Sequence, residues 1–166
     1  MTMLIPCGDE YFVWLLGGSA PVPGLCLAPG GIDTHAVLEM LRGLAGKIRA
    51  THPSCAWLIA DEHEIVGLCS LTRAADEQGV VQMGYGVAAS RRGRGHAKRA
   101  VGLMIAELLN DPLVREVAAE TAVANIPSQR VLESNGFART GTRTDDEDGE
   151  VFVWRYALRN GISASK

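Results

Sequence analysis

The sequence predicts a mixed α/β domain, and three observations carry that expectation. In CAWLIADEHEIVGLCSLT (55–72), two apolar runs flank the polar residues 61–64, which is the pattern of a β-hairpin. The segment VVQMGYGVA (80–88) alternates like a strand and runs into a basic stretch, SRRGRGHAKRAVG (90–102), that opens an amphipathic helix. The chain has 166 residues, 47% hydrophobic and 21% charged, enough for a single domain over 1–166 with a real core.

The elements follow in order. The segment 19–31 is rich in Pro and Gly and reads as a loop. DTHAVLEMLRGLAGKIRA (33–50) reads as a helix, capped by Asp33 or Thr34, with Val37, Leu38, Leu41, Leu44 and Ile48 at helical spacing and Pro53 as its stop. The hairpin over 55–72 comes next. Strand 80–88 then turns Val81, Met83, Tyr85 and Val87 to one face, and Gly84 and Gly86 inside it suggest a bulge or a close backbone approach. The helix opened by 90–102 runs to about Leu109 with Val101, Met104, Ile105 and Leu108 on its inner stripe, and NDP (110–112) ends it. VREVAAETAVA (114–124) is a strand. NIPSQRVLESNGF (125–137) is a short helix with Asn125 as cap, a Pro in its first turn and Gly136 at its C-cap. FARTGTR (137–143) and EVFVWRYAL (150–158) form a hairpin across an acidic turn. The first eighteen residues carry no clear element.

Composition narrows the function. The formal net charge is −3, whereas a protein that lives on nucleic acid usually has a strongly basic balance, so the basic cluster is local. No aromatic side chain interleaves it between 90 and 102, which weakens an RNA-binding reading further. Cys7, Cys26, Cys55 and Cys69 form no Cys-x-x-Cys pair, so they read as free, mostly buried thiols of a reducing cytosol rather than a zinc site. His35, His52, His63 and His96 share no metal-ligand spacing, and no metal is expected. The N-terminus has no early Lys or Arg, and no run approaches the roughly 20 apolar residues of a membrane span. A cytoplasmic protein with neither a membrane nor a nucleic-acid partner is expected.

A chain that leaves a strand and opens a helix presents unpaired backbone N–H groups and the positive end of the helix dipole, so this corner attracts anions. Gly93 and Gly95 remove side chains that would block a phosphate, and Arg91, Arg92 and Arg94 can bond it from the sides. A diphosphate-bearing cofactor suits this geometry. The P-loop pattern fails because His96 and Ala97 follow Gly95. Gly84-x-Gly86-x-x-Ala89 fits the dinucleotide fingerprint only formally, since more coil follows Ala89.

GYGVAASRRGRGHAKRAV resembles the acetyl-CoA motif of the GNAT superfamily of N-acyltransferases, Arg/Gln-x-x-Gly-x-Gly/Ala, written here Arg92-Gly93-Arg94-Gly95-His96-Ala97. ETAVANIPSQRVLESNGFARTGTR resembles the second half of the same fold, with Asn-x-x-Ser, a short helix and Gly-Phe. With the ending VFVWRYAL, the sequence most resembles the branch typified by ribosomal-protein N-terminal acetyltransferases, well over 56–158 and poorly over the first fifty residues.

The resemblance implies an acyl-CoA N-acyltransferase fold: a mostly antiparallel sheet, splayed at the cofactor site and flanked by helices. It implies acetyl-CoA as co-substrate, a primary amine as acceptor, and the homodimer that family members often form. Strand 80–88 would splay from its neighbour after Gly84. The main chain at Val87 and Ala89 would pair with the pantetheine amides like an added strand, and the Val87 N–H would meet the thioester oxygen. The backbone from Arg92 to Ala97 would cradle the pyrophosphate, with only the backbone of His96 involved. Asn125 would contact the pantetheine arm, and Ser128 would give the leaving thiolate a proton. Each has a plainer reading, Asn125 as a helix cap and Ser128 as a hydroxyl satisfying backbone donors.

Attack on a thioester needs a neutral amine. An α-amine, pKa near 8, gives up its proton at neutral pH for about 1–1.5 kcal/mol, far less than a lysine. Many enzymes of the branch carry a carboxylate two residues before the bulge glycine, where this chain has Gln82. Glu120 is then the expected general base, acting through a water; its plainer reading is a solvated or salt-bridged strand residue. An easily deprotonated acceptor such as a peptide N-terminus is therefore expected. The rival readings are a non-catalytic acyl-CoA sensor, which Gln82 keeps alive, and a nucleic-acid binder using the basic cluster at 91–99. The turn TDDEDGE fails as a calcium loop, because Arg155 falls where the bidentate Glu belongs, and reads as a solvated tip or a border of the acceptor mouth. Trp14, Trp57 and Trp154 read as packing residues.

Overall fold

The computed structural model describes residues 1–159. Its elements are β1 (Thr2–Pro6), α1 (Asp9–Leu15), β2 (Cys26–Leu27), α2 (His35–Ile48), β3 (Ala56–Asp61) and β4 (Glu64–Arg73). There follow β5 (Val80–Val87), α3 (His96–Leu108), β6 (Glu116–Ala122), α4 (Ile126–Ser134), β7 (Ala138–Asp145) and β8 (Gly149–Ala157). The strands join in one sheet of order β1-β3-β4-β5-β6-β8-β7, with the short β2 beside β4. Along that path every pairing is antiparallel except β5–β6.

Apolar runs place the core. β3 and most of β4 are buried on both faces, so their sequences read as continuous rather than alternating hydrophobics. Helix α2 packs on β4 through Leu38, Ala45 and Ile48, while α3 covers β1, β4 and β5 with Ala100, Val101, Met104 and Leu108. The α2 cap is Thr34, whose Oγ1 accepts the Val37 N–H at 3.3 Å. Trp57 and Trp154 are buried and Trp14 nearly so. Cys7, Cys55 and Cys69 are free and buried, and Cys26 is free and exposed.

His52 is a fully buried clasp between three segments. Its Nε2 accepts the Ala75 N–H at 3.1 Å, so Nδ1 carries the proton and donates it to Asp111 at 2.6 Å.

Three sequence expectations change. The N-terminal segment without a clear element holds β1, antiparallel on β3 from Thr2–Asp61 to Pro6–Trp57, and the seven-residue α1. Both are too short for a periodicity to declare itself. The helix expected from residue 90 begins at His96; a 3-10 turn over Ala89–Arg91 and two glycines with positive φ, Gly93 (78°) and Gly95 (80°), precede it. Of the bulge or close backbone approach expected in β5, the close approach is present at Gly86, and the bulge lies in its partner. Leu71 pairs with Met83 and Arg73 with Gln82, so Thr72 is the extra residue of β4.

Candidate active site

β5 and β6 run side by side only from Val80–Glu116 to Gln82–Ala118. Beyond that pair the two strands have no common register, and a gap opens in the sheet two residues earlier than the sequence suggested. The Ala88 N–H donates to the Val66 carbonyl at 2.7 Å, which makes Gly67–Val87 a non-hydrogen-bonded pair of the antiparallel ladder. The amides of Tyr85 and Val87 therefore point away from β4, into the gap. Gly67 permits this close pairing, because a Cβ there would stand 2.3 Å from the Gly86 carbonyl oxygen. The Val87 carbonyl accepts from Arg92 Nε at 3.2 Å. Ala89 lies beyond the strand, in the 3-10 turn, so the extended edge ends at Val87.

The chain then enters α3 through the glycines. Among the described residues, none of the amides from Arg92 to Lys98 donates a hydrogen bond; the first helical bond is Arg99 N–H to Gly95 O at 3.2 Å. No side chain caps α3, and a Cβ on Gly93 would meet nothing within 4 Å. Seven consecutive donors at the positive end of a thirteen-residue helix form a cradle for an anion, and none of the described residues fills it. Of the flanking arginines, Arg91 is held by Glu64 (Nε–Oε1 2.5 Å), while Arg94 makes no side-chain hydrogen bond among the described residues. His96 contributes more than backbone. Its ring is buried, and Nδ1 meets Thr2 Oγ1 at 3.0 Å, which pins the start of α3 to β1. Arg99 Nε reaches the same Thr2 hydroxyl at 2.8 Å.

One face of the gap is bridged by α4. Asn125 caps it, accepting the Ser128 N–H at 3.2 Å, and Gln129 Nε2 ties it to the Val123 carbonyl at 2.9 Å. Ser128 Oγ lies 2.6 Å from the Tyr85 hydroxyl, which also donates to the Ser128 carbonyl at 3.1 Å. Burial raises the Tyr85 phenol above its ordinary pKa, while its bond to Ser128 opposes the shift, so at neutral pH it is a proton carrier and a donor.

A family match described as Acetyltransferase (GNAT) domain spans residues 30–138. The chain belongs to the GNAT acetyltransferases. Among solved structures, this GNAT chain is similar to aminoglycoside acetyltransferase AAC(6')-Ib in complex with coenzyme A, at 20% identity and TM-score 0.68, over 100% of both chains. It is also similar to the ribosomal-protein-S5-alanine acetyltransferase from Vibrio fischeri, at 17% identity and TM-score 0.67, over 95% of this chain and 92% of that one. A third likeness is to a spermidine N-acetyltransferase SpeG chimera from Vibrio cholerae and hSSAT, at 13% identity and TM-score 0.69, over 95% of both chains. These likenesses concern the fold. Among curated proteins nothing matches the chain.

The co-substrate of this GNAT protein is acetyl-CoA, and its diphosphate fits the donor cradle of residues 92–98. Among the described residues no group of three or more His, Cys, Asp or Glu could hold a metal ion. None of the helices in those residues is long and apolar enough to cross a membrane.

The two sides of the GNAT sheet carry different chemistry. In the β5–β6 register Gln82 faces with Ala118, so Glu120 shares the face of Gly84 and Gly86, and Tyr85 and Ser128 serve the other. Glu120 is engaged in a two-point ion pair with Arg143 of β7, through Nε–Oε2 and through Nη2–Oε1 at 2.7 Å. That is the salt-bridged arrangement, in which each Glu120 oxygen accepts from the Arg143 guanidinium. The acidic turn closes on itself, with Asp145 Oδ2 accepting the Glu147 and Asp148 amides at 3.1 and 3.0 Å.

Two polar groups beside the gap were given no role there by the sequence. Tyr85 was placed only on one face of its strand with Val81, Met83 and Val87, and only the fold sets its hydroxyl against Ser128. Asp33 or Thr34 was expected to cap α2; Thr34 does so, and Asp33 Oδ2 lies 3.6 Å from where a Cβ on Gly86 would be.

Proposed function

We propose that the protein transfers the acetyl group of acetyl-CoA to the α-amine of a peptide N-terminus, by direct attack within a ternary complex. One observation carries this reading: a row of unused amides at 92–98, reached through a short turn from the Val87 amide that points into the sheet gap.

Acetyl-CoA supplies an activated acyl carbon and a thiolate leaving group. The cradle from Arg92 to Ala97 holds its diphosphate, and the edge of β5, with the free Ala89 amide beyond it, orients the pantetheine arm. The Asn125 side-chain amide retains its NH₂ for that arm after capping α4. The Val87 N–H donates where negative charge grows on the thioester oxygen, and such fixed donors are worth about 2.7–4 kcal/mol in related chemistry.

Overall, one proton leaves the ammonium before attack. The C–N bond then forms, the C–S bond breaks, and the nitrogen gives a second proton to solvent at the open mouth as the amide is made. The Ser128 hydroxyl gives the thiolate its proton, and the Tyr85 hydroxyl, turning from the Ser128 carbonyl to Ser128 Oγ, stabilises the alkoxide until solvent returns a proton to it. Gln82 takes no part in proton transfer, and with Glu120 paired to Arg143 the α-amine loses its proton to solvent through the open mouth. This favours an acceptor that deprotonates easily. The free buried thiols suit the reducing cytoplasm in which we place the protein.

Thiol release from acetyl-CoA with peptides and small amines tests the reading. Turnover with peptide α-amines is expected. Ser128→Ala should lower kcat about 10–100-fold and Tyr85→Phe about threefold to tenfold, with CoA affinity unchanged. CoA binding without turnover on any amine would mark a sensor, and an unchanged kcat in Ser128→Ala would remove the proton relay.

A further inference from the structure

On the α2 face of the gap, the first turns of α2 and strands β4 and β5 enclose a cavity of about 230 Å³. Its wall is mainly apolar, with Ile32, Val37, Leu41 and Leu68, and among the described residues Asp33 is the one charged residue that lines it. Asp33 Oδ1 is used by the Thr34 N–H at 2.7 Å, which leaves Oδ2 over Gly86, 3.6 Å from where a Cβ there would be. Thr72 adds its methyl to the wall, 3.6 Å from where a Cβ on Gly84 would be. It is the extra residue that the bulge inserts into β4.

Resting on the acetyltransferase reading, we propose that this cavity receives the first residue of an acceptor peptide and selects a compact apolar side chain there, with Asp33 binding the ammonium.

The two features fit one chemical pattern. A carboxylate and an apolar hollow lie beside the sheet edge that presents the acetyl group. An α-ammonium and an aliphatic side chain radiate from a single Cα with matching polarity. An apolar cavity of about 150 Å³ accommodates a benzene-sized group, so this one holds a leucine-sized side chain with room for the backbone. A polyamine or aminoglycoside carries several cations and would leave all but one without a partner in this wall.

The test begins with calorimetric titration of CoA into the intact protein and into Asp33→Asn. Both should bind CoA equally; if neither binds, the acetyltransferase reading itself fails, and this proposal with it. Thiol release is then measured with pentapeptides that differ only in a first Leu, Gly or Glu, and with leucinamide, Nα-blocked lysine and spermidine. The Leu peptide should exceed the Gly and Glu peptides in kcat/KM by at least about tenfold. Blocked lysine and spermidine should be poorer still. Leucinamide separates a free amino amide from a peptide: equal kcat/KM shows that the cavity reads the first residue alone, as proposed, whereas a large preference for leucinamide over the peptide overturns the peptide assignment. Asp33→Asn should weaken calorimetric binding of the Leu peptide to the CoA-loaded protein about five- to tenfold. It should leave binding of the same peptide without its amino group unchanged. Equal rates for Leu and Gly peptides, a preference for spermidine or blocked lysine, or undiminished Leu-peptide binding in Asp33→Asn would each overturn the proposal.

Discussion

His96 shows how a single side chain can be placed by a motif and used for something else. The glycine pattern required only its backbone, yet the ring is buried against Thr2, and among the described residues Nε2 has no hydrogen-bond partner. Burial lowers its pKa below the ordinary histidine value, opposed by Asp61 and reinforced by Arg99, Arg94 and the N-terminal ammonium. A histidine held neutral in the fold but free to charge when unfolded binds more protons in the unfolded state. Its contribution is intact above the ordinary value of about 6.5 and is lost as pH falls from there through the lowered folded value. Melting temperatures between pH 7.5 and 5.5 should therefore fall more steeply for the native protein than for His96→Gln; equal slopes would mean that the ring charges without penalty. At this scale the sequence was legible where residues act through backbone or by type, as with Gly93, Gly95 and the Asn125 cap. It was silent where a role depends on a distant neighbour. Glu120 meets Arg143, Tyr85 meets Ser128 and Asp33 meets Gly86 only after the strands are paired.

At the scale of elements, the decisive contact is the close pairing of β4 and β5 at Gly67. A methyl group there would stand 2.3 Å from the Gly86 carbonyl oxygen and 3.2 Å from Val87 Cα, so the strands must separate along the edge that is to hold the pantetheine arm. Gly67→Ala should cost about 1–3 kcal/mol of stability. It should also weaken CoA binding, as read by denaturant midpoint and calorimetry together. Loss of stability with native CoA affinity would show that the β5 edge is not part of the binding surface. The long elements were legible because periodicity over ten or more residues is hard to imitate: α2, the β3–β4 hairpin and β8 lie where their patterns put them. The short ones were not. β1 gains its order from β3, fifty residues away, and α1 from packing against α2. Of the two features that Gly84 and Gly86 suggested, the close backbone approach is present at Gly86, while the bulge lies at Thr72 of the neighbouring strand, because an extra residue in a register leaves no mark on either sequence.

At the scale of the whole molecule, the architecture followed from the order of strong elements and from a motif resemblance that covers residues 56–158. The N-terminal part, which forms the acceptor wall through Asp33 and α2, was the least familiar, so the co-substrate was legible and the acceptor was not. The physical reason is that a diphosphate is recognised by main-chain amides, whose placement glycines reveal, while an acceptor is recognised by side chains that converge from separate elements. The most direct measurement is an amide NMR titration of the ¹⁵N-labelled protein with CoA. The largest shifts should fall on residues 92–98 and on Val87, moved downfield as their N–H groups acquire acceptors. Amides at 92–98 that stay fixed under millimolar CoA, or shifts confined to other parts of the surface, would contradict a diphosphate held at the entrance to α3.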